Sequence, residues 1–282
     1  MPWPLEDEMS VGAALRAVAC VVLAAACVSC TAEGTRGPQI LFAPAMASPS
    51  GTDQWTIVVQ GRVWEFPEDS RRRQLLIDVL ARAVGADRSD PLFRSRAGHL
   101  VSDSIGDASI SIVLGDRQVR LLPSDAAGSF ATPVTLTSEQ VARLSHDGVI
   151  PFESLPTPQL PGRFTGSARL VGAQGVTVVT DIDDTIKDTN VNDHAEARAN
   201  TLMRPFRAVA GMPELYRAWQ AAAGPGLHFH VVSAGPWQFH EPLRRFTEEE
   251  RFPTFTWDMR SVDTTEPATL LRETVNADPQ RL

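Results

Sequence analysis

The chain is almost without lysine. Lys187 is the only one, and arginine carries the rest of the positive charge. With a net charge of −8, a basic nucleic-acid footprint is excluded. Thiols are as scarce: Cys20, Cys27 and Cys30 sit together near the N-terminus. Beyond Cys30, no disulfide framework, sulfur-ligated metal or thiolate nucleophile is available. Internal repeats are missing, and so are low-complexity segments past the N-terminal run. The apolar stretch Ala17 to Val28 is shorter than the roughly 20 residues that a membrane-spanning helix needs.

What is present begins with that stretch. Read from Met9, Arg16 precedes the apolar core and small residues follow it, which is the layout of a secretory signal. Ser29-Cys30-Thr31 suggests a lipoprotein box, with Ala24-Ala25-Ala26-Cys27 as a rival cleavage site. Residues 1–32 are therefore expected to direct export, to the periplasm or to a lipid anchor on a membrane. The 282 residues suggest about two further domains.

Residues 33–160 read as a β-rich domain with one clear helix. Strands are predicted at Gln39–Ala43, Trp55–Trp64, Ala108–Leu114, Gln118–Leu122 and Thr132–Leu136. The helix, Arg71 to Val84, has Leu75, Leu76, Val79, Leu80 and Ala83 as its apolar stripe. Its Arg71-Arg72-Arg73 start reads as a solvated face; contact with anionic lipid headgroups is the other reading. Thr137-Ser138-Glu139-Gln140 opens a second, short helix. Pro151 to Pro161 holds four prolines in eleven positions and reads as a linker.

The informative stretch is Val176-Thr177-Val178-Val179-Thr180-Asp181-Ile182-Asp183-Asp184-Thr185-Ile186-Lys187. A β-branched run, apolar on both faces, predicts a buried parallel strand. It ends in three carboxylates, where open α/β sheets bind ligands. Asp181 and Asp183 lie two apart and would project to one side of an extended segment. Two such carboxylates repel unless a cation or proton intervenes. Mg²⁺ takes one or two protein carboxylates plus water and phosphate oxygens. An aspartate can attack phosphorus, and its neighbour can serve as acid and base.

The DxDxT segment resembles the first motif of the haloacid dehalogenase superfamily. Together with Pro205-Phe206-Arg207, Gly211-Met212-Pro213-Glu214-Leu215-Tyr216 and Ser233-Ala234-Gly235-Pro236-Trp237-Gln238, it resembles the catalytic domain of the actin-patch type phosphatidate phosphatases. The resemblance covers Gly162 to the C-terminus. It implies a haloacid-dehalogenase-like α/β fold with a parallel sheet over 161–282, behind the smaller β-rich domain. It implies Mg²⁺-dependent removal of phosphate from phosphatidic acid, at a membrane surface and without nucleic acid. Asp181 would be the nucleophile and metal ligand. Asp183 would be acid and base, and would add its backbone carbonyl to the metal. Thr185 would buttress the loop, and Ser233, closing the strand Leu227 to Ser233, would hold phosphoryl oxygens. Ala234-Gly235-Pro236 would open a helix whose N–H groups favour an anion.

His228 and His230 read as core residues, and His240 and Glu241 as the rim of a substrate entrance. Lys187 reads as too far past the nucleophile to act on it. The resemblance also implies a third-motif lysine and fourth-motif carboxylates, which would follow a segment like Asn276 to Leu282, so the catalytic domain is expected to be C-terminally incomplete. Two rival functions stay open: another phosphomonoesterase, or a catalytically inactive protein, either a truncated product or a lipid-binding remnant.

Overall fold

The computed structural model describes residues 37–66, 70–262 and Thr269. The export signal and the three cysteines lie outside these residues.

The first part of the chain builds one sheet around a long strand. Strands β1 (Gln39–Phe42), β2 (Ala45–Gly51) and β3 (Gln54–Glu65) come first. Helices α1 (Arg71–Val84) and α2 (Pro91–Leu100) follow. Then come β4 (Asp103–Ser104), β5 (Ser111–Leu114), β6 (Arg117–Arg120), β7 (Ser129–Thr137), helix α3 (Ser138–Leu144), β8 (Val149–Ser154) and β9 (Thr165–Leu170). The path runs β1-β3-β2-β9-β8-β5-β6, and β4 and β7 also pair with β3. β1 lies so close to β3 that a Cβ on Gly61 would meet the Leu41 carbonyl oxygen at 2.0 Å; only glycine fits there.

Several elements depart from the sequence expectations. The proposed linker begins as a strand: Pro151 sits in β8 opposite Ser167 of β9, and Phe152 is buried. β2 was not anticipated, because Ala, Ser and Pro give little strand signal. Helix α2 was not anticipated either. Its start signal is plain in hindsight: Asp90 caps the Phe93 N–H at 2.7 Å, and Pro91 opens the first turn. Along α1 the buried stripe is Leu76, Ile77, Leu80 and Ala81, while Leu75 faces solvent.

The second sheet is small and parallel, ordered β10-β11-β12, from β10 (Val176–Thr180), β11 (Leu227–Pro236) and β12 (Phe255–Arg260). Parallel neighbours need crossovers. The first contains helix α4 (His194–Arg198), a π-helical turn Ala199–Met203 and helix α5 (Met212–Ala223). The second contains helix α6 (His240–Glu249). Phe229, Val231, Phe255 and Trp257 of the sheet share one apolar core with Leu243 and Phe246 of α6. Leu76, Ile77, Leu80, Phe93 and Leu100 of α1 and α2 join that same core. Helices from the first part of the chain thus support the sheet formed by the last part.

β10 is not the buried strand that its β-branched run predicted. Among the described residues it pairs only with β11. Val176 is 60% exposed and Val179 64%.

Candidate functional site

β10 and β11 are parallel, with Val178 opposite Phe229 and Thr180 opposite Val231. Asp181 follows one residue after Thr180 and Ser233 two after Val231. Both therefore stand at the carboxyl end of the small sheet, where such sheets bind ligands. Thr180 anchors the strand end: its hydroxyl shares a 2.7 Å hydrogen bond with the Tyr216 hydroxyl from α5.

Past Asp181 the chain folds into a tight loop. The N–H groups of Ile186 and Lys187 donate to the Ile182 carbonyl at 3.0 and 2.9 Å, and that of Thr185 at 3.4 Å. Asp184 takes a left-handed conformation (φ 56°), which aspartate tolerates better than most residues. Its carboxylate accepts the N–H groups of Thr189, Asn190 and Val191 at 2.8, 2.6 and 2.7 Å. Desolvation works against its ionisation, but these three donors prevail and hold Asp184 below the usual carboxylate range. Asp184 is therefore the organiser of the loop after the motif.

Asp181 remains accessible to solvent at the strand end. Partial desolvation raises its pKa, and the Asp183 carboxylate raises it further; the N–H groups of Ile182 and Asp183 pull the other way. Asp183 is held firmly. Its Oδ1 accepts the Lys187 ammonium at 2.9 Å and the Thr189 hydroxyl at 2.6 Å. Lys187 also donates to that hydroxyl. The only lysine of the chain is 2% exposed and belongs to the site through Asp183. The tight loop turns it back under the strand end. Thr189 supplies the hydroxyl that reaches Asp183.

Ser233 is 5% exposed, and its hydroxyl accepts the Gly235 N–H at 3.1 Å. The strand runs on to Pro236 with an irregular register, so the helical turn opens at Trp237 rather than beside Ser233. His240 does not rim an entrance. It is 1% exposed, edge-on to Trp257 at 5.2 Å, and burial pushes its pKa down to about 4. His228 and His230 share the Thr256 hydroxyl at 2.8 Å each, and His228 is buried.

Beside the loop lies a cavity of about 680 Å³. Asp184, Asp188, Asn190, Glu196, Arg204 and Arg207 are among its lining residues; Asp181 and Ser233 are not. Most of its walls come from the polar crossover between β10 and β11.

Residues 176–281 match the family model of phosphatidate phosphatase APP1, catalytic domain. The resemblance read from Asp181 to Lys187 and its companion segments is borne out over that region. No curated protein matches the chain. The accessible Asp181 carboxylate is an oxygen donor of the hard kind. The Asp183 side chain is already engaged through Oδ1 by Lys187 and Thr189. Among the described residues no cluster of three or more His, Cys, Asp or Glu is poised to hold a metal.

Proposed function

We propose that the chain is a phosphatidate phosphatase-like phosphomonoester hydrolase with a haloacid-dehalogenase-like catalytic segment. The observation that carries this is the pairing of an APP1-type match with Asp181 and Ser233 at one end of two parallel strands. Asp181 attacks phosphorus and forms an aspartyl-phosphate while the alcohol leaves. Asp183 gives its proton to the leaving oxygen, then takes one from the water that hydrolyses the acyl-phosphate. The Ser233 hydroxyl and nearby N–H groups hold phosphoryl oxygens. Lys187 and Thr189 keep Asp183 in place between the two half-reactions. Mg²⁺, held by the Asp181 carboxylate and the Asp183 carbonyl, would screen phosphoryl charge when bound.

The family match favours phosphatidic acid at a membrane surface as substrate. The polar lining of the cavity favours a second reading, a soluble phosphomonoester. Export through residues 1–32 is part of the same proposal, and mass spectrometry of the mature N-terminus tests it. The activity test is phosphate release with Mg²⁺ from vesicles carrying phosphatidic acid and, separately, from a soluble phosphomonoester. Release from the vesicles, abolished in Asp181→Asn, is the expected result. Release that survives Asp181→Asn would remove the nucleophile assignment.

A further inference from the structure

Arg96 is an expensive residue to bury. It lies on α2, well before the matched segment in sequence, and is 5% exposed. Its Nη1 donates to the Thr201 carbonyl at 2.9 Å and the Arg204 carbonyl at 2.6 Å. Its guanidinium carbon lies over the Phe206 ring, 3.7 Å from the centroid. No carboxylate pairs with it among the described residues. Burial pushes its pKa down to about 10. A buried cation without an anion is unfavourable unless other groups replace its water. Here two carbonyls and an aromatic face replace it.

Those partners are the elements that frame the site. Thr201 and Arg204 belong to the π-helical turn and its end, where carbonyls lack partners within the helix. Arg204, Pro205 and Arg207 line the cavity around Phe206. The Lys187 ammonium also lies over the Phe206 ring, 5.3 Å from its centroid. Phe206 is packed on its own side by Phe246 of α6, with centroids 5.7 Å apart. One ring therefore meets a cation from α2 and the cation that holds Asp183.

We propose that Arg96 is a positioning residue for the site. By tying down the Thr201 and Arg204 carbonyls and the Phe206 ring, it fixes the surface on which Lys187 lies, and so where Lys187 holds Asp183. The first part of the chain then serves the chemistry of the last part. This rests on the phosphatase reading for its catalytic consequence, but its structural content does not.

The test compares the full chain with Arg96→Met, Arg96→Lys and Phe206→Leu. Phosphate release from micelles carrying phosphatidic acid is read as kcat and KM, thermal midpoints by circular dichroism, and amide hydrogen exchange across residues 183–207. Misplacing a catalytic group by about 1 Å can cost on the order of a hundredfold. Arg96→Met, assayed well below its midpoint, should lose at least about tenfold in kcat with KM within about twofold. It should also exchange faster at 187–206. Arg96→Lys, which keeps the charge and a donor, should recover part of kcat. A folded Arg96→Met with wild-type kcat and unchanged exchange would overturn the proposal. If Arg96→Met does not fold, Phe206→Leu decides: a kcat loss supports the coupling and wild-type kcat removes it. If the wild-type chain releases no phosphate, the phosphatase reading fails, and hydrogen exchange at 187–206 alone upholds or overturns the positioning role.

Discussion

β3 and β10 are built from the same kind of residue and meet different fates. Both are rich in β-branched residues. In β3, Ile57, Val59 and Val63 are fully buried, and β1, β2, β4 and β7 all pair with the strand. In β10, Val176 and Val179 face solvent, and only β11 pairs with it among the described residues. A β-branched run thus specifies extended backbone but not the number of neighbours. The difference matters for function. The strand carrying the DxDxT motif lies at a margin of its sheet, so its carboxyl end is held by other means. Those means are the Thr180–Tyr216 hydrogen bond, the Asp184-centred loop and the buried Lys187.

The largest effect should come from the strand that is covered. Ile57→Ala removes a fully buried side chain in the middle of β3 and leaves a cavity among close-packed neighbours. Such losses typically cost about 2–5 kcal/mol, depending on how far the site relaxes. Urea unfolding of both chains measures it. A cost under about 1 kcal/mol would mean that β3 is less tightly enclosed than its pairing implies.

A second, intermediate effect sharpens the contrast on the covered side of the small sheet. His240 is buried among Trp237 and Trp257, and its pKa falls from 6.5 to about 4. Between those values the unfolded chain binds a proton at this position that the folded chain refuses. The stability contribution is therefore complete above about pH 6.5, and it is lost progressively as pH falls toward 4. From pH 7 to pH 5 the loss from this one group is about 2 kcal/mol. Replacement by phenylalanine removes the titration while keeping a ring between the two tryptophans. Denaturant midpoints at both pH values should show a smaller drop for His240→Phe than for wild type. Equal drops would assign the acid sensitivity to other groups.

The sequence made some of this legible and left some out, for physical reasons. Alternation and β-branching gave β3, β7, β10 and β11, because each signal is local. The apolar stripe gave α1 with the bounds observed, and the capping pattern at Thr137 gave α3. The DxDxT spacing put Asp181 and Asp183 at a strand end because strand geometry is regular. What escaped depends on contacts distant in sequence. No periodicity announces that Arg96 will lie over Phe206, or that a loop from Ile182 to Thr189 will return Lys187 to Asp183. Exposure of β10 escaped because a strand's neighbours are not encoded in its own residues. The His240 reading failed differently. Its place on the first turn of α6 suggested an entrance, whereas the two tryptophans that enclose it are visible only in three dimensions.

The smallest effect is predicted on β10 itself. Val179 projects from the strand with 64% of its surface exposed, so it buries little to lose. Threonine keeps β-branching, and so keeps the stiff χ1 that suits a strand. In β3 the same change at Val59 would bury a hydroxyl among apolar neighbours, and Val and Thr are not interchangeable there. At Val179 the hydroxyl stays in water. Val179→Thr should therefore shift stability by no more than about 0.5 kcal/mol, the range of ordinary surface substitutions. It should also leave phosphate release unchanged, because Asp181 is held through Thr180, Tyr216 and the loop rather than through the solvent face of the strand. Urea midpoints with a parallel activity assay measure both. A loss well above about 1 kcal/mol would show that Val179 is covered in solution. β10 would then no longer be the open counterpart of β3, and the contrast between the two strands would disappear.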